Sequence, residues 1–321
     1  MSRTPIGVDI AKAKFDAAAY LNGKYKTKSF ANTPAGITAF QAWLAAFTEP
    51  HVCLEATSIY GEALSERLAD AGVQVSVVNP ARIAAFAKTE LARTKTDKGD
   101  AKLIARFCAL HTPELWQPQP RSIRELRALV RRLENLLEMH QMEDNRLQTA
   151  DLAVHDSLRT MMTALQVQID LVRAQIVQHI DNDPDLRGRR DLLDTIPGLG
   201  KATIPVLLSV LAEPGRFASA KQCAAFAGLT PSLSQSGTSV RRRGRMTKEG
   251  SALLRKMLYM AALQAVKRTN NAFHHTYQAF VERGKPKMCA LGAIMHKIIR
   301  VAFGVLKHDT PFVKNFAKLE C

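Results

Sequence analysis

The chain has 321 residues, 46% of them hydrophobic, which is enough for two or three domains with their own cores. No signal peptide opens it, no apolar run is long enough to span a bilayer, and its five cysteines show no CxxC pair or metal-binding spacing, so we expect a soluble cytoplasmic protein with reduced thiols and no membrane partner. The formal net charge of +16 at pH 7 indicates a polyanionic partner, with nucleic acid as the leading candidate.

The first third of the chain alternates strand and helix signals. Ile6–Ile10 is a short apolar run, and Phe15–Leu21 and Tyr25–Phe30 flank Asn22-Gly23, a dipeptide typical of a hairpin turn. Further strands are predicted at His51–Ala56 and Val73–Val78, and helices at Thr33–Phe47, Tyr60–Ala71, Ala81–Ala87 and Lys98–Leu110. This order matches the ribonuclease-H-like α/β fold of RuvC-type nucleases, a mixed sheet with helices on both faces.

Four carboxylates, which we call the quartet, are distributed over these elements. Asp9 lies in the first strand, Glu55 interrupts an apolar strand, and Asp97 and Asp100 lie about one turn apart at the start of a helix. Each has a structural alternative, such as a favourable charge at a helix N-terminus or a surface position on an edge strand. Their conjunction in this order predicts a site for Mg²⁺ or Mn²⁺, because hard divalent cations take carboxylate oxygens and assist phosphodiester chemistry.

Residues 121–182 are predicted to form two long helices joined near Thr149–Val154. Both carry apolar residues at alternating spacings of three and four, a heptad-like pattern. The stripes are Leu126, Val130, Leu133 and Leu137 in the first helix, and Leu158, Met162, Leu165, Ile169, Val172 and Ile176 in the second. A core stripe and an oligomerisation seam both fit; we favour dimerisation, because an isolated helical hairpin buries little surface.

The last third holds nearly all of the excess charge. Residues 1–117 contain 14 basic and 11 acidic residues, residues 118–190 contain 11 of each, and residues 191–321 contain 20 and 7, a net of +13. This asymmetry predicts nucleic-acid binding mainly by the C-terminal region. There, Ile196-Pro197-Gly198-Leu199-Gly200-Lys201 resembles the turn of a helix-hairpin-helix motif, which presents backbone N–H groups to a DNA phosphate. Gly198, Gly200 and Lys201 are therefore predicted contacts.

A basic stretch with few apolar residues follows and predicts an exposed loop or hairpin. Its cations are Arg241, Arg242, Arg243, Arg245 and Lys248, and Arg255 lies in the helix predicted to begin near Thr247. Ser236 lies beside Gly237 in this stretch, with Ser234 and Ser239 as neighbouring hydroxyls. A serine can act as a covalent nucleophile when activated, and arginines can stabilise a phosphorane-like transition state. A loop that only contacts phosphates fits the same residues.

Together these motifs resemble the DEDD-type transposases of bacterial insertion sequences, the family that includes the Piv DNA invertases and the bridge-RNA-guided recombinases. The resemblance spans essentially the whole chain. Its markers are Gly7-Val8-Asp9, Glu55-Ala56-Thr57-Ser58-Ile59-Tyr60, Val78-Asn79-Pro80, Thr96-Asp97-Lys98-Gly99-Asp100-Ala101, Ile196-Pro197-Gly198-Leu199-Gly200, Ala227-Gly228-Leu229-Thr230-Pro231, Gln235-Ser236-Gly237 and Lys248-Glu249-Gly250 leading to Leu254-Arg255. Ser58 stands where a glycine is common in the family, which concerns the turn after Glu55 rather than the chemistry.

The resemblance implies a DNA recombinase. The family's metal-binding acids fall on the quartet, and its catalytic serine falls on Ser236, which would form a covalent phosphoserine link to DNA. In the guided members, a structured RNA encoded by the element pairs with donor and target DNA. The acids and the serine would come from different subunits of a homodimer or homotetramer associated with the bacterial nucleoid.

The predicted organisation is a RuvC-like catalytic domain at 1–117, a helical coiled-coil dimerisation segment at 118–188, and a mainly helical transposase domain at 189–321. Two other functions use the same residues. A RuvC-type junction-resolving nuclease would hydrolyse DNA with water, without a covalent link. A non-catalytic nucleic-acid-binding protein would use the four acids structurally.

Overall fold

The computed structural model describes residues 3–56, 59–90, 97–232, 235–236, 240–241, 245–247 and 250–313. Among the predicted site residues, Arg242, Arg243 and Lys248 lie outside these ranges, and only the backbone is described for Asp97, Ser236, Arg241 and Arg245. The chain divides into two compact units, Met1–Pro118 and Gln119–Cys321.

The described part of the first unit contains a mixed five-stranded sheet. Its strands are β1 (Thr4–Ile10), β2 (Lys14–Leu21), β3 (Lys24–Ala31), β4 (Pro50–Glu55) and β5 (Gln74–Val78). They lie in the order β3-β2-β1-β4-β5, with β1, β2 and β3 antiparallel and β4 and β5 parallel to β1. Asn22 and Gly23 both have positive φ, 47° and 84°, as the predicted two-residue hairpin turn requires.

Helices cover both faces of this sheet. They are α1 (Pro34–Leu44), α2 (Glu62–Asp70), α3 (Pro80–Thr89) and α4 (Asp97–His111). Alternate residues of β1 face opposite sides: Ile6 and Val8 pack in one core with residues of α1 and α2, whereas Gly7 lies under α4. Two separate apolar layers therefore fix which face of the sheet each polar residue of β1 occupies.

The second unit is mainly helical and has one continuous core. Its elements are α5 (Arg121–Leu147), α6 (His155–Asn182), α7 (Pro184–Asp194), α8 (Thr203–Leu211), α9 (Ala220–Phe226), β6 (Pro231–Ser232), β7 (Gln235–Ser236), β8 (Val240–Arg241), β9 (Arg245–Met246), α10 (Ala252–Lys267), α11 (Ala272–Glu282) and α12 (Lys287–His308). By length and composition α12 could cross a membrane, which sequence analysis did not anticipate, but 56% of its most apolar stretch is buried inside the unit. It is the central core helix, with ten buried residues.

The two predicted long helices are α5 and α6, and they pack against each other. Their heptad-like stripes point into the unit's own core: Leu126 and Val130 of α5 and Leu165 and Ile169 of α6 are buried there, in one cluster with residues of α8, α10 and α12. The heptad-like spacing of these four residues is therefore explained by packing within one chain. A second set of apolar side chains on α6 faces solvent instead: Met161, Val167, Leu171 and Val177.

Candidate functional site

Polar residues form one row across the first unit's sheet, at the carboxyl ends of β1 and β4. The parallel register pairs Val8 with Leu54, so the following residues, Asp9 and Glu55, lie side by side on neighbouring strands about 4.8 Å apart. They share the face of Gly7, the face that α4 covers. Both residues are half-buried and each has a further interaction partner. Backbone register alone therefore brings together two acids that are 46 positions apart in the sequence.

Helix α4 places the other two acids over the same end of the sheet. A methyl group on Gly7 would lie 2.2 Å from both Ala101 O and Ala105 N, so the helix backbone rests directly on β1. Nearer the other end of the helix, Cys108 Sγ donates a hydrogen bond to His51 O at the start of β4, at 3.6 Å. The helix thus runs antiparallel to β1 and β4, and its first turn, with Asp97 and Asp100, lies towards their carboxyl ends.

Small residues make this close approach possible. Ala101 and Ala105 are buried against Ala18 of β2, in a cluster with no bulky aliphatic side chain among its buried members. Further along, Cys53 packs with residues of α3 and α4, and its pKa is raised by a hydrogen bond with Cys108 and by burial. The two buried thiols thus bring α4 into contact with β4 at Cys53, two residues before Glu55.

The side chain of Asn32, which directly follows β3, connects the loops that follow the two strands. Asn32 Nδ2 donates to Ala11 O at 3.1 Å and to Tyr60 O at 3.2 Å. Ala11 follows β1, and Tyr60 lies in the short 3₁₀ turn that begins just beyond β4 and the undescribed residues 57–58. The carboxyl ends that carry Asp9 and Glu55 are therefore tied to a common point.

The donor set of the quartet fits a hard divalent cation. Among the side chains that the structure describes, no three His, Cys, Asp or Glu groups are close enough to hold a metal ion. Asp9, Glu55 and Asp100 are described and Asp97 is described by its backbone only. All-carboxylate donors are what Mg²⁺ and Mn²⁺ prefer, usually with water and substrate phosphate completing the shell.

A third carboxylate lies in the same row and was not predicted from the sequence. Asp16 of β2 is only 4% exposed, and the antiparallel register places it directly opposite Asp9. Its Oδ1 accepts a hydrogen bond from Ser29, and its Oδ2 lies 3.1 Å from Lys14 Nζ. The signal was the one that singled out Glu55, a carboxylate inside an apolar strand, and it applied equally to Phe15-Asp16-Ala17.

In the second unit, Ser236 lies on a two-tier β-hairpin. The outer tier pairs Pro231 with Met246, and it is continued by Thr247 N donating to Thr230 O at 3.0 Å. The inner tier pairs Gln235 with Arg241 and Ser236 with Val240, so Ser236 occupies the last described position before the hairpin tip. The backbone register also places Arg241 and Arg245 on the strand that returns from this tip.

The base of this hairpin is anchored to the helical core. Gly250 has φ of +111°, and a methyl group there would lie 2.1 Å from Phe226 O. Arg255 Nη1 donates to Ala227 O at 3.2 Å and to Gly250 O at 3.1 Å, joining the segments that lead into and out of the hairpin. Arg255, predicted to contact nucleic acid, thus has a structural role in this protein.

The predicted helix-hairpin-helix turn connects α7 to α8. Gly198 has φ of +92°, and a methyl group there would lie 2.4 Å from Ala261 O of α10, so the turn is packed on the core. Gly200 and Lys201 lie on its outer side: Lys201 is exposed, and a methyl group on Gly200 would meet nothing within 4 Å. Gly200 O accepts from Thr203 N and Ile204 N at the start of α8.

Comparison with known proteins gives the same assignment for both units. A family model described as Transposase, of the DEDD type, matches residues 6–150, and one described as Transposase IS116/IS110/IS902 family matches residues 190–278. The first contains the whole row of carboxylates, and the second contains the serine hairpin and the Gly198 turn.

Full-length relatives support the family models. The chain is 35% identical to the pilin gene-inverting protein of Moraxella lacunata over 98% of its own length and 99% of that protein, and 34% identical to its counterpart in Moraxella bovis over the same shares. It is 29% identical to the insertion element IS110 uncharacterized 43.6 kDa protein of Streptomyces coelicolor over 50% of this chain and 38% of that one. The chain therefore belongs to the IS110-type family of DEDD transposases, whose members are DNA recombinases.

Proposed function

We propose that this protein is a metal-dependent DNA recombinase that holds Mg²⁺ or Mn²⁺ with the quartet and cleaves DNA with Ser236. The observation that supports this most strongly is the shared register of Asp9 and Glu55 beneath the first turn of α4. We also propose a RuvC-like, ribonuclease-H-like fold for the first unit; its mixed five-stranded sheet is compatible with that fold and favours the same chemistry. A cation held there would neutralise charge on the scissile phosphate.

The serine step forms one bond and breaks another. Ser236 Oγ would attack the phosphorus of a DNA strand, a P–O bond to the adjacent nucleotide would break, and the released oxygen would take up a proton while the serine loses one. The bond energy stays in the phosphoserine ester, so a hydroxyl of a second strand can reverse the step and join the exchanged strands. Arg241 and Arg245, with Arg242 and Arg243, are the nearest cations in sequence for stabilising the developing charge.

The second unit would carry most of the nucleic-acid affinity. Its excess of positive charge, the exposed Lys201 and the outward-facing Gly200 favour contacts to phosphates along the Gly198 turn. A structured guide RNA, pairing with donor and target DNA, is proposed from the family resemblance alone. The same resemblance supports a cytoplasmic, nucleoid-associated protein with the three-domain organisation 1–117, 118–188 and 189–321.

The proposed composite site needs more than one subunit. Because the heptad-like stripes are used inside the chain, a second copy would contact the outer face of α6 instead. Met161, Val167, Leu171 and Val177 supply exposed apolar area on that helix, between 51% and 60% exposed each. Charged substitutions at Val167 and Leu171 therefore test the dimer, whereas a substitution at Leu165 would damage the core first.

The test is an excision assay on the DNA that flanks the protein's own gene, with purified full-length chain. Recombination is expected to require Mg²⁺ or Mn²⁺ and to stop in excess chelator. The rate of recombination should also fall about a thousandfold, which corresponds to about 4 kcal/mol of lost transition-state stabilisation. We expect this in four variants: Asp9→Asn, Glu55→Gln, Asp97→Asn and Asp100→Asn. Glu114→Gln, an exposed acid of the same unit, is the matched control. Undiminished recombination in chelator contradicts the proposal, and strand cleavage without a protein–DNA adduct favours the water-using nuclease.

A further inference from the structure

The row of polar residues on the sheet extends beyond the quartet. Reading across the strands, Ser29 of β3 pairs with Asp16 of β2, and Asp16 pairs with Asp9 of β1, next to Glu55 of β4. All four lie on the face covered by α4. Three carboxylates thus stand on adjacent strands, an arrangement that is unfavourable unless a cation compensates the charge.

The pairing between Asp9 and Asp16 is rigid. Ala11 N donates to Lys14 O at 2.9 Å, so β1 and β2 are joined by a tight turn at Lys12-Ala13. Hydrogen-bonded pairs alternate along an antiparallel ladder, so Asp9 and Asp16 form such a pair, with Cα atoms about 5.5 Å apart. These two Cα atoms cannot separate without breaking the hairpin.

Among the described residues, Lys14 places a cation beside this row. Its Nζ lies 3.1 Å from Asp16 Oδ2, and its side chain is 51% exposed while that of Asp16 is 5% exposed. Lys14 is two residues from Asp16 on the same face, so it is the diagonal neighbour of Asp9, within reach of a long side chain. The Lys14 ammonium group therefore lies within reach of the carboxylates of both Asp16 and Asp9.

We infer that Asp16 is a positioning residue for the cation site: it engages the Lys14 ammonium and the Ser29 hydroxyl, and so holds this ammonium away from the oxygens of Asp9 that would bind a divalent cation. This inference rests on the proposed metal-binding role of the quartet. Without the charge of Asp16, Lys14 would neutralise Asp9 and compete with the cation for its oxygens. Asp16 itself need not touch the metal.

Direct measurement of Mn²⁺ binding tests this without any recombination assay. Free and bound Mn²⁺ are counted by electron paramagnetic resonance with the full-length chain and its variants. Asp16→Asn is expected to weaken binding about tenfold, the lower end of what supporting residues around metal ligands contribute. Glu90→Gln is the matched control, because it removes one charge and one ion pair, to Arg106 at 2.9 Å, elsewhere in the same unit.

The double variant separates this mechanism from a purely structural role. Lys14→Met in the Asp16→Asn background is expected to restore Mn²⁺ affinity to within about threefold of wild type, since the competing cation is gone. Ser29→Ala keeps all charges and is expected to change the affinity less than Asp16→Asn does.

Three results would count against the account in different ways. Equal Mn²⁺ affinity in wild type and Asp16→Asn overturns the inference. Weakened binding in Asp16→Asn that Lys14→Met does not rescue shows that Asp16 acts through folding alone, and overturns it also. If wild type binds no Mn²⁺, or if Asp9→Asn binds it as well as wild type, the proposed metal site itself is wrong and the role of Asp16 falls with it.

Discussion

The carboxylate row of the first unit and the serine hairpin of the second are built in opposite ways. Asp9, Glu55 and Asp16 lie on central strands of a five-stranded sheet, and α4 rests on that sheet through Gly7. Ser236 lies on a two-residue strand, beyond another two-residue strand, in the hairpin of β6 to β9, which we call the arm. The register of a large sheet therefore fixes the three acids, whereas the described strand pairing at Ser236 extends over two residues on each strand.

In the proposed mechanism, the cation site and the Ser236 nucleophile would meet when DNA is bound. A metal site benefits from rigid donors, because ligand geometry must be held closely. A nucleophile on an arm can reach the phosphate of a strand held by another subunit.

Replacing the hydroxyl on the arm should have the largest effect. Ser236→Ala is expected to abolish the covalent protein–DNA adduct completely while Mn²⁺ binding by the first unit stays unchanged. Denaturing gels of the excision reaction and mass spectrometry of the modified peptide give the readout. Ser234→Ala and Ser239→Ala serve as controls, and an adduct that persists in Ser236→Ala but disappears in one of them would move the nucleophile to that residue.

A methyl group at the turn between α7 and α8 should damage the second unit. Gly198→Ala combines left-handed backbone with contacts of 2.4 Å to Ala261 O and 2.7 Å to Ala265 Cβ. Together these should cost about 2–4 kcal/mol of folding free energy. Thermal unfolding measures the loss. Gly200→Ala, with open space around it, should change the stability by less than about 0.5 kcal/mol, and equal losses in both variants would show that the turn is not packed as described.

The same change under α4 should damage the cation site. Gly7→Ala would press on Ala101 and Ala105 and lift the helix from β1, at a cost of about 1–3 kcal/mol. Because α4 carries Asp97 and Asp100, Mn²⁺ affinity should fall together with the melting temperature. Gly188→Ala, at an unobstructed helical position, is the control. A folded Gly7→Ala protein with wild-type Mn²⁺ affinity would show that the position of α4 does not matter to the site.

Loosening the base of the arm should have the smallest effect. Arg255→Lys keeps the charge but loses the two-carbonyl geometry, at a cost of about 1.5 kcal/mol for hydrogen bonds from a charged donor. Adduct formation should slow while salt-dependent DNA affinity stays the same. The neighbouring Lys256→Gln, which removes a surface ion pair to Glu134, should cost less than 1 kcal/mol or so. A drop in DNA affinity without loss of stability would instead make Arg255 a phosphate contact.

Patterns of short range predicted the first unit well. Asn22-Gly23 located the hairpin, and the apolar runs located all five strands of the described sheet, because turn chemistry and alternation act over a few residues. What pairs with what is a long-range property. The sequence could not show that Asp16 lies opposite Asp9, since that follows from the register set by the Lys12-Ala13 turn.

The helical segment shows the same limit. A heptad-like stripe indicates that the helix packs against an apolar partner, but it does not indicate whether that partner belongs to the same chain. Leu165 and Ile169 are buried against the chain's own helices, so the stripe alone does not identify a dimer interface, and dimerisation through this segment stays a prediction. Side-chain charge is similarly ambiguous: the guanidinium of Arg255 donates to two backbone carbonyls, and its contact with nucleic acid stays a prediction.

The most direct test of the central claim is to locate a bound cation. Anomalous diffraction from crystals of the full-length chain grown with Mn²⁺ should show density at the carboxyl ends of β1 and β4, with oxygen atoms of Asp9, Glu55, Asp97 and Asp100 about 2.0–2.3 Å away. The Asp9→Asn variant, under the same conditions, should lose this density. Manganese bound elsewhere, or none at this end of the sheet at saturating concentration, would contradict the metal-dependent mechanism.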